Sequence, residues 1–231
     1  MKTNATPLTP RKLVTALLFR FASFYAFLGL ILFLPAGTLR YWEAWVSIIM
    51  LTVPVLFLVV YLYKRDPGLL ERRMRTKETQ RTQKVVIILS SLSLFLVFII
   101  PGFDHRFGWS SVPVPLTIIS QLFILAGYWL FALVLKTNSY ASRIIEVEKG
   151  QKVVTTGPYS LVRHPMYLAV LVIYGFFPLA LGSFWAVLPV ATLIPLLVAR
   201  IKGEEKVLLS NLGDYKEYTL KTKSRLVPGV W

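Results

Sequence analysis

The sequence predicts an all-α integral membrane protein of about five to six transmembrane helices, with a C-terminal helical hairpin, a cytosolic C-terminal cap and no Rossmann fold. Three observations carry this. Of 231 residues, 55% are hydrophobic, and the mean hydropathy is +0.62, too apolar for a soluble domain's surface. Long apolar runs recur along the chain. Lys and Arg gather in alternate connections between those runs.

Segments 13–34, 44–63 and 113–135 each supply the roughly 20 apolar residues that a spanning helix needs. The first follows a basic stretch but lacks a clear small-residue cleavage site, so it reads as a retained span. Segment 85–101 is shorter, apolar after Lys84 and expected to end at Pro101-Gly102. The last apolar region, 166–199, is too long for one ordinary helix and breaks at Leu181-Gly182-Ser183. Its halves, about 24 Å each at 1.5 Å per residue, suit a hairpin that is tilted through the bilayer or stops short of the far side. Pro178, Pro189 and Pro195 predict bends in it. The chain divides into N-terminal spans, 1–135, and a region 136–231 comprising a polar loop, the hairpin and a tail.

The net charge of +15 invites a nucleic-acid reading, but cytoplasmic loops of a polytopic protein collect cations in the same way. Three cations lie in the N-terminus (Lys2, Arg11, Lys12), eight in 64–84 (Lys77 among them), five in 136–165 and seven from Arg200 onward. Only Arg40 and Arg106 occupy the opposite loops, and Arg20 lies inside the first span, placed to snorkel towards the N-terminal side. Both termini are therefore expected in the cytoplasm, with no nucleic-acid partner. Tyr41, Trp42 and Trp45 mark one interface; Tyr61 and Tyr63 mark the other. With Leu69, Leu70 and Met74 among its arginines, 64–84 reads as an amphipathic helix on anionic lipid, a solvated loop being the alternative.

The chain has no cysteine and only two histidines, His105 and His164, on different segments. No metal site is expected. Chemistry is sought instead in two polar clusters at the cytosolic boundary. In 146–167, Gly150 and Gly157-Pro158 form turns, and Pro165 biases His164 to extended backbone. Tyr159, Arg163, His164 and Tyr167 thus sit on irregular chain where the hairpin begins. The second cluster, 200–209, places Arg200 and Glu204 on one helical face, with Glu205 one position round. A tight hairpin brings the clusters together across one pocket. Taken singly, the tyrosines are interfacial anchors, His164 a loop residue, Arg163 a topogenic charge, and Arg200 with Glu204 a surface ion pair worth under about 1 kcal/mol.

As a set, the run from Lys152 to Tyr167, which includes Gly157-Pro158-Tyr159 and Arg163-His164-Pro165-Met166-Tyr167, followed by a hairpin and Arg200-x3-Glu204-Glu205, resembles the isoprenylcysteine carboxyl methyltransferase family. The ending from Tyr215-x2-Tyr218 to Trp231 resembles its bacterial members, so a bacterial cytoplasmic membrane is implied. The likeness covers about 138–231. It implies S-adenosylmethionine as cofactor, bound without a Rossmann domain; consistently, the sequence has no GxGxxG motif. By that resemblance Gln151, Lys152, Val153 and Val154 contact the cofactor. Tyr159, His164, Pro165, Met166 and Tyr167 surround it, and Glu204 holds it from the other side. Where eukaryotic members carry an upstream Gln, Glu146 stands nearest. Their His near the position of Gln151 is missing here.

Arg200 matches the arginine that orients the substrate, so Arg200 and His164 are the catalytic candidates. A carboxylate acceptor is already ionised and needs no base; an amine or thiol would need His164 or Glu204. The expected reaction is O-methylation of an isoprenylcysteine-carboxylate-like lipophilic molecule or lipidated substrate taken from the membrane lipids. A phospholipid amine or a thiol is the alternative acceptor. The non-enzymatic alternative is a scaffold or transporter subunit, although the spans hold little polar chemistry beyond Gln121. Oligomeric state is not legible in the sequence.

Overall fold

A computed structural model describes residues 10–76, 78 and 80–231. Lys2 and Lys77, counted above among the cytoplasmic cations, lie outside them, as do the side chains of Arg11 and Lys12. The described residues form eight α-helices and no strand: α1 (Pro10–Ala36), α2 (Trp42–Arg65), α3 (Pro67–Met74), α4 (Arg81–Phe107), α5 (Val114–Thr137), α6 (Pro165–Ala180), α7 (Val187–Asn211) and α8 (Tyr215–Lys221). Four of them, within α1, α2, α4 and α5, are long and apolar enough to cross a membrane. Large apolar side chains on these helices, such as Phe19, Leu30, Phe57, Ile88 and Leu122, point outward. Water would not tolerate that surface, but acyl chains do. The protein is an integral membrane protein.

The expected stop at Pro101-Gly102 is corrected: α4 continues for about one and a half turns, to Phe107. Pro101 stays inside the helix, and Gly102 lies against α1, where an added Cβ would meet the Leu32 carbonyl at 2.7 Å. The pair thus marks a close helix crossing. The helix ends instead at Gly108, whose φ of 64° is cheap only without a side chain.

The hairpin forms as expected, with its break at 181–186. Its two helices diverge. α6 packs along α5, where Gly127 leaves room for Ile173 (an added Cβ would lie 2.7 Å from its Cγ1). α7 packs along α4, joined by a Ser93–Thr192 hydroxyl pair at 2.8 Å. The hairpin tip reaches the far ends of its neighbours. Tyr41 donates its hydroxyl to the Leu181 carbonyl at 2.5 Å, and the Phe184 N–H donates to Ser110 Oγ at 3.1 Å. Buried Asp104 accepts from Ser183 Oγ at 2.5 Å and from the Ser110 N–H at 2.7 Å. Gln121, the polar residue noted in the spans, donates to Ser47 Oγ at 2.8 Å and to the Ala180 carbonyl at 3.2 Å. It clamps α2, α5 and α6 together.

The 64–84 connection is also corrected. Leu69 and Leu70 are buried against Leu58, Leu62, Leu135 and Ala141, so the apolar face of α3 docks on protein rather than lipid. Asp66 caps α3 by accepting from the Leu69 N–H at 2.8 Å. Arg20 does turn to its N-terminal side, where it donates to the Met74 carbonyl at 2.9 Å.

Candidate active site

The break that forms the hairpin also folds the start of α6 and the C-terminal half of α7 together, and the loop before α6 closes over them. All twelve residues singled out by the resemblance line one cavity there: Glu146, Gln151, Lys152, Val153, Val154, Tyr159, His164, Pro165, Met166, Tyr167, Arg200 and Glu204. They come from the 138–165 loop, the first turn of α6 and the C-terminal half of α7. Leu208, Leu212, Tyr215 and Tyr218 add an apolar and aromatic wall.

The expected Arg200–Glu204 pair is not formed. Glu204 instead accepts the Tyr167 hydroxyl at 2.6 Å across the hairpin. Arg200 turns away: Nη1 donates to Glu78 Oε2 at 3.0 Å and Gln83 Oε1 at 3.1 Å, and Nη2 to the Arg143 carbonyl at 3.0 Å. The i,i+4 spacing put the two residues on one face, but buried partners just before α4, in its first turn and in the loop after α5 outcompete a neighbour in the same helix. Burial alone would raise the Glu78 pKa, yet the Ile145 N–H, Arg200 and the Gln80 N–H together hold it below the usual carboxylate value.

Glu205, absent from the predicted site, is an acid shared by three basic side chains. It is buried and meets Arg163 Nε at 3.2 Å, Arg225 Nε at 2.8 Å and His164 Nε2 at 3.4 Å. Burial would raise its pKa; hydrogen bonds from His164 and Arg225 and the charge of Arg163 bring it down to about 2. The tail is tied to the same place. The Arg163 and His164 N–H groups donate to the carbonyls of Ser224 and Arg225 at 3.0 and 2.9 Å. The Tyr218 hydroxyl donates to the Tyr159 carbonyl at 2.7 Å.

The loop wall is held by arginines of α3 and just after it. Arg75 Nη1 bridges Glu146 at 2.6 Å and Glu148 at 2.5 Å. Arg72 grips the Ser139 carbonyl through Nε at 3.0 Å and Nη2 at 2.6 Å, and Arg73 reaches the Ser142 carbonyl at 3.2 Å. Gln151 spends its Oε1 on the Glu148 N–H at 3.0 Å, which shapes the turn before Lys152. Asn138 donates to the Tyr159 hydroxyl at 2.8 Å, and burial raises that phenol's pKa well above its ordinary value.

A second cavity lies deeper, between α4, α6 and α7, where the hairpin helices part. Val86, Ile87, Leu94, Val170, Leu171, Leu193, Leu196 and Leu197 make it largely apolar. Met166, Tyr167 and Arg200 line both cavities.

Residues 118–210 match the model of the isoprenylcysteine carboxyl methyltransferase (ICMT) family. The match covers the C-terminal part of the membrane region and the cavity built on it. No curated protein matches the sequence. The matched segment runs from early α5 to the last turn of α7 and holds all twelve cavity residues named above. Several of their partners lie outside it. Glu78 and Gln83, which fix Arg200, precede it, as do the α3 arginines; Arg225, which pairs with Glu205, follows it.

Proposed function

We propose that this membrane protein is a methyltransferase that uses S-adenosylmethionine to methylate a lipophilic acceptor arriving from the bilayer. The observation that carries this reading is the meeting of two unlike cavities at Met166, Tyr167 and Arg200. One is polar and opens where a water-soluble cofactor is available; the other is apolar and lies at membrane depth.

The residues of the first cavity fit the cofactor's chemistry. Glu204 offers a carboxylate whose protein partner is the Tyr167 hydroxyl, which suits an ammonium or sulfonium cation. Tyr159, Tyr167 and Tyr218 supply aromatic faces for the same charges, and Leu208 and Leu212 an apolar wall for a nucleobase. Gln151 to Val154, outside regular secondary structure, line one side. Bound there, the cofactor supplies a methyl group on a positively charged sulfur.

What the chain contributes is placement and exclusion of water. Met166 and Tyr167 separate the two compartments, and Arg200, braced by Glu78 and Gln83, sets the acceptor's reacting end towards the first cavity. An isoprenylcysteine-carboxylate-like acceptor fits this design, since its carboxylate needs no base. An amine or thiol acceptor would require one. Glu204 lies nearer to that role than His164, whose ring is already turned to Glu205. Gln121, the polar residue within the spans, spends its amide N–H groups on a clamp between helices, which weighs against a transport pathway. The distribution of cations supports cytoplasmic termini, and the resemblance of the ending from Tyr215 to Trp231 supports a bacterial cytoplasmic membrane.

The test is calorimetric binding of S-adenosylhomocysteine to the purified chain, followed by transfer of a labelled methyl group to lipid extracts. Micromolar binding, lost in Glu204→Gln, together with a base-labile labelled lipid, supports carboxylate methylation. A base-stable product shifts the acceptor to an amine or thiol. No binding sinks the assignment.

A further inference from the structure

The charges around the apolar cavity do not balance, and the imbalance identifies what its occupant carries. Three arginines line its cytosolic end: Arg73, Arg143 and Arg200. Arg200 is neutralised by Glu78 at 3.0 Å, and its Nη atoms are spent on Glu78, Gln83 and the Arg143 carbonyl. Arg73 and Arg143 have no ion-pair partner among the described residues. Arg73 is half-buried; its Nη1 donates to the Ser142 carbonyl at 3.2 Å and lies 3.3 Å from Met166 Sδ. Its guanidinium carbon stands 5.2 Å over the Phe131 ring. Burial, with Arg143 nearby, lowers its pKa to about 10, so it keeps its charge at neutral pH. An unpaired cation in such a place is costly unless something else supplies the anion.

We propose that Arg73, supported by Arg143, is the receptor for an anionic headgroup (carboxylate or phosphate) on the amphiphile that fills the apolar cavity, and that Arg200 is a positioning residue. This rests on the lipophilic-acceptor reading and adds the residue that reads the acceptor's charge, one outside the segment matched by the family model. Arg73 touches Met166, which lines both cavities, so an anion held there lies beside the passage between them. Its partners fix only Nη1, which leaves Nε and Nη2 to grip an anion in the bidentate manner that guanidinium allows.

The experiment uses the full chain in phosphatidylcholine nanodiscs with three photoreactive probes of one twelve-carbon tail, ending in a carboxylate, a phosphate or a primary amine. Labelling of α6 and α7 peptides is read by mass spectrometry, and S-adenosylhomocysteine binding is measured on the same samples. The expected result is anionic labelling about tenfold or more above the amine, a loss of that preference in Arg73→Gln, and its retention in Arg73→Lys. Arg143→Gln, at an exposed side chain, should give a partial loss even if the Arg73 variant folds poorly. The stronger of the two anionic probes tells a carboxylate from a phosphate. Equal labelling by the amine, or an unchanged preference in both Gln variants, overturns the proposal. Failure of the unaltered chain to bind S-adenosylhomocysteine overturns the methyl-transfer reading instead, while the labelling still reports the charge preference.

Discussion

Glu205→Gln keeps the shape of the side chain and removes its charge, leaving Arg163, Arg225 and His164 without the anion they share. The carboxyl is held near 2 against an ordinary value of 4.5. At 1.36 kcal/mol per unit, that difference corresponds to about 3 kcal/mol of folded-state preference for the ionised form. Because the folded pKa is depressed, this stability is fully present above about pH 4.5 and lost as pH falls from there towards 2. At pH 7 the variant should therefore be less stable by about 3 kcal/mol, the lower end of what breaking a buried ion pair costs. Thermal unfolding in detergent measures it; for a chain of this size about 2–4 °C per kcal/mol is expected. Limited proteolysis should also cut the tail beyond Lys221 sooner, since Arg225 loses its anchor. A melting point within about 1 °C of the unaltered protein at pH 7, with the same pH dependence between 5 and 3, would refute the view that Glu205 ties the loop and the tail to α7.

Three other outcomes are expected. Tyr167→Phe removes the 2.6 Å hydroxyl bond to Glu204 and should weaken S-adenosylhomocysteine binding about tenfold in calorimetry, the worth of one bond to a charged group. Gly127→Leu should cost about 1–3 kcal/mol in thermal unfolding, because its Cβ would lie 2.7 Å from Ile173 Cγ1; Gly175→Ala, with nothing within 4 Å, should leave the melting point unchanged. Glu78→Gln takes the counter-charge from Arg200 and should lower the methyl-transfer rate about tenfold while S-adenosylhomocysteine affinity stays within about twofold, a split that single-turnover kinetics can read.

Much of the fold was legible because the bilayer makes a few rules strict. Apolar length set the spans, and the break at Leu181-Gly182-Ser183 set the hairpin. The misreadings share a cause. Pro101-Gly102 reads as a terminator in any isolated segment; only the approach of the Leu32 carbonyl shows that Gly102 is a packing device and that the helix continues to Gly108. Likewise Leu69 and Leu70 announce an amphipathic helix, but sequence does not say whether protein or lipid covers the apolar face. Their burial against α2, α5 and the following loop shows that protein does.

The candidate site was legible as a list of residues, not as a set of interactions. The run 146–167 and the cluster at 200–205 do line one cavity, because the hairpin leaves them no other place. Their partners were hidden, since an acid among cations looks like a charge-balanced surface. Glu78 lies in a stretch with eight Lys and Arg, yet it is the buried mate of Arg200, 122 positions away. Arg72 and Arg75 counted as topogenic charges, but they clamp the carbonyls and carboxylates of the 138–148 loop. The two roles are compatible. A cytosolic arginine costs nothing in topology, so the segment that orients the chain can also build the cavity wall. Of the three arginines that line the apolar cavity, Arg200 has found an acid and supports the structure; Arg73 and Arg143 have not, and by the proposal above a ligand's charge acts there.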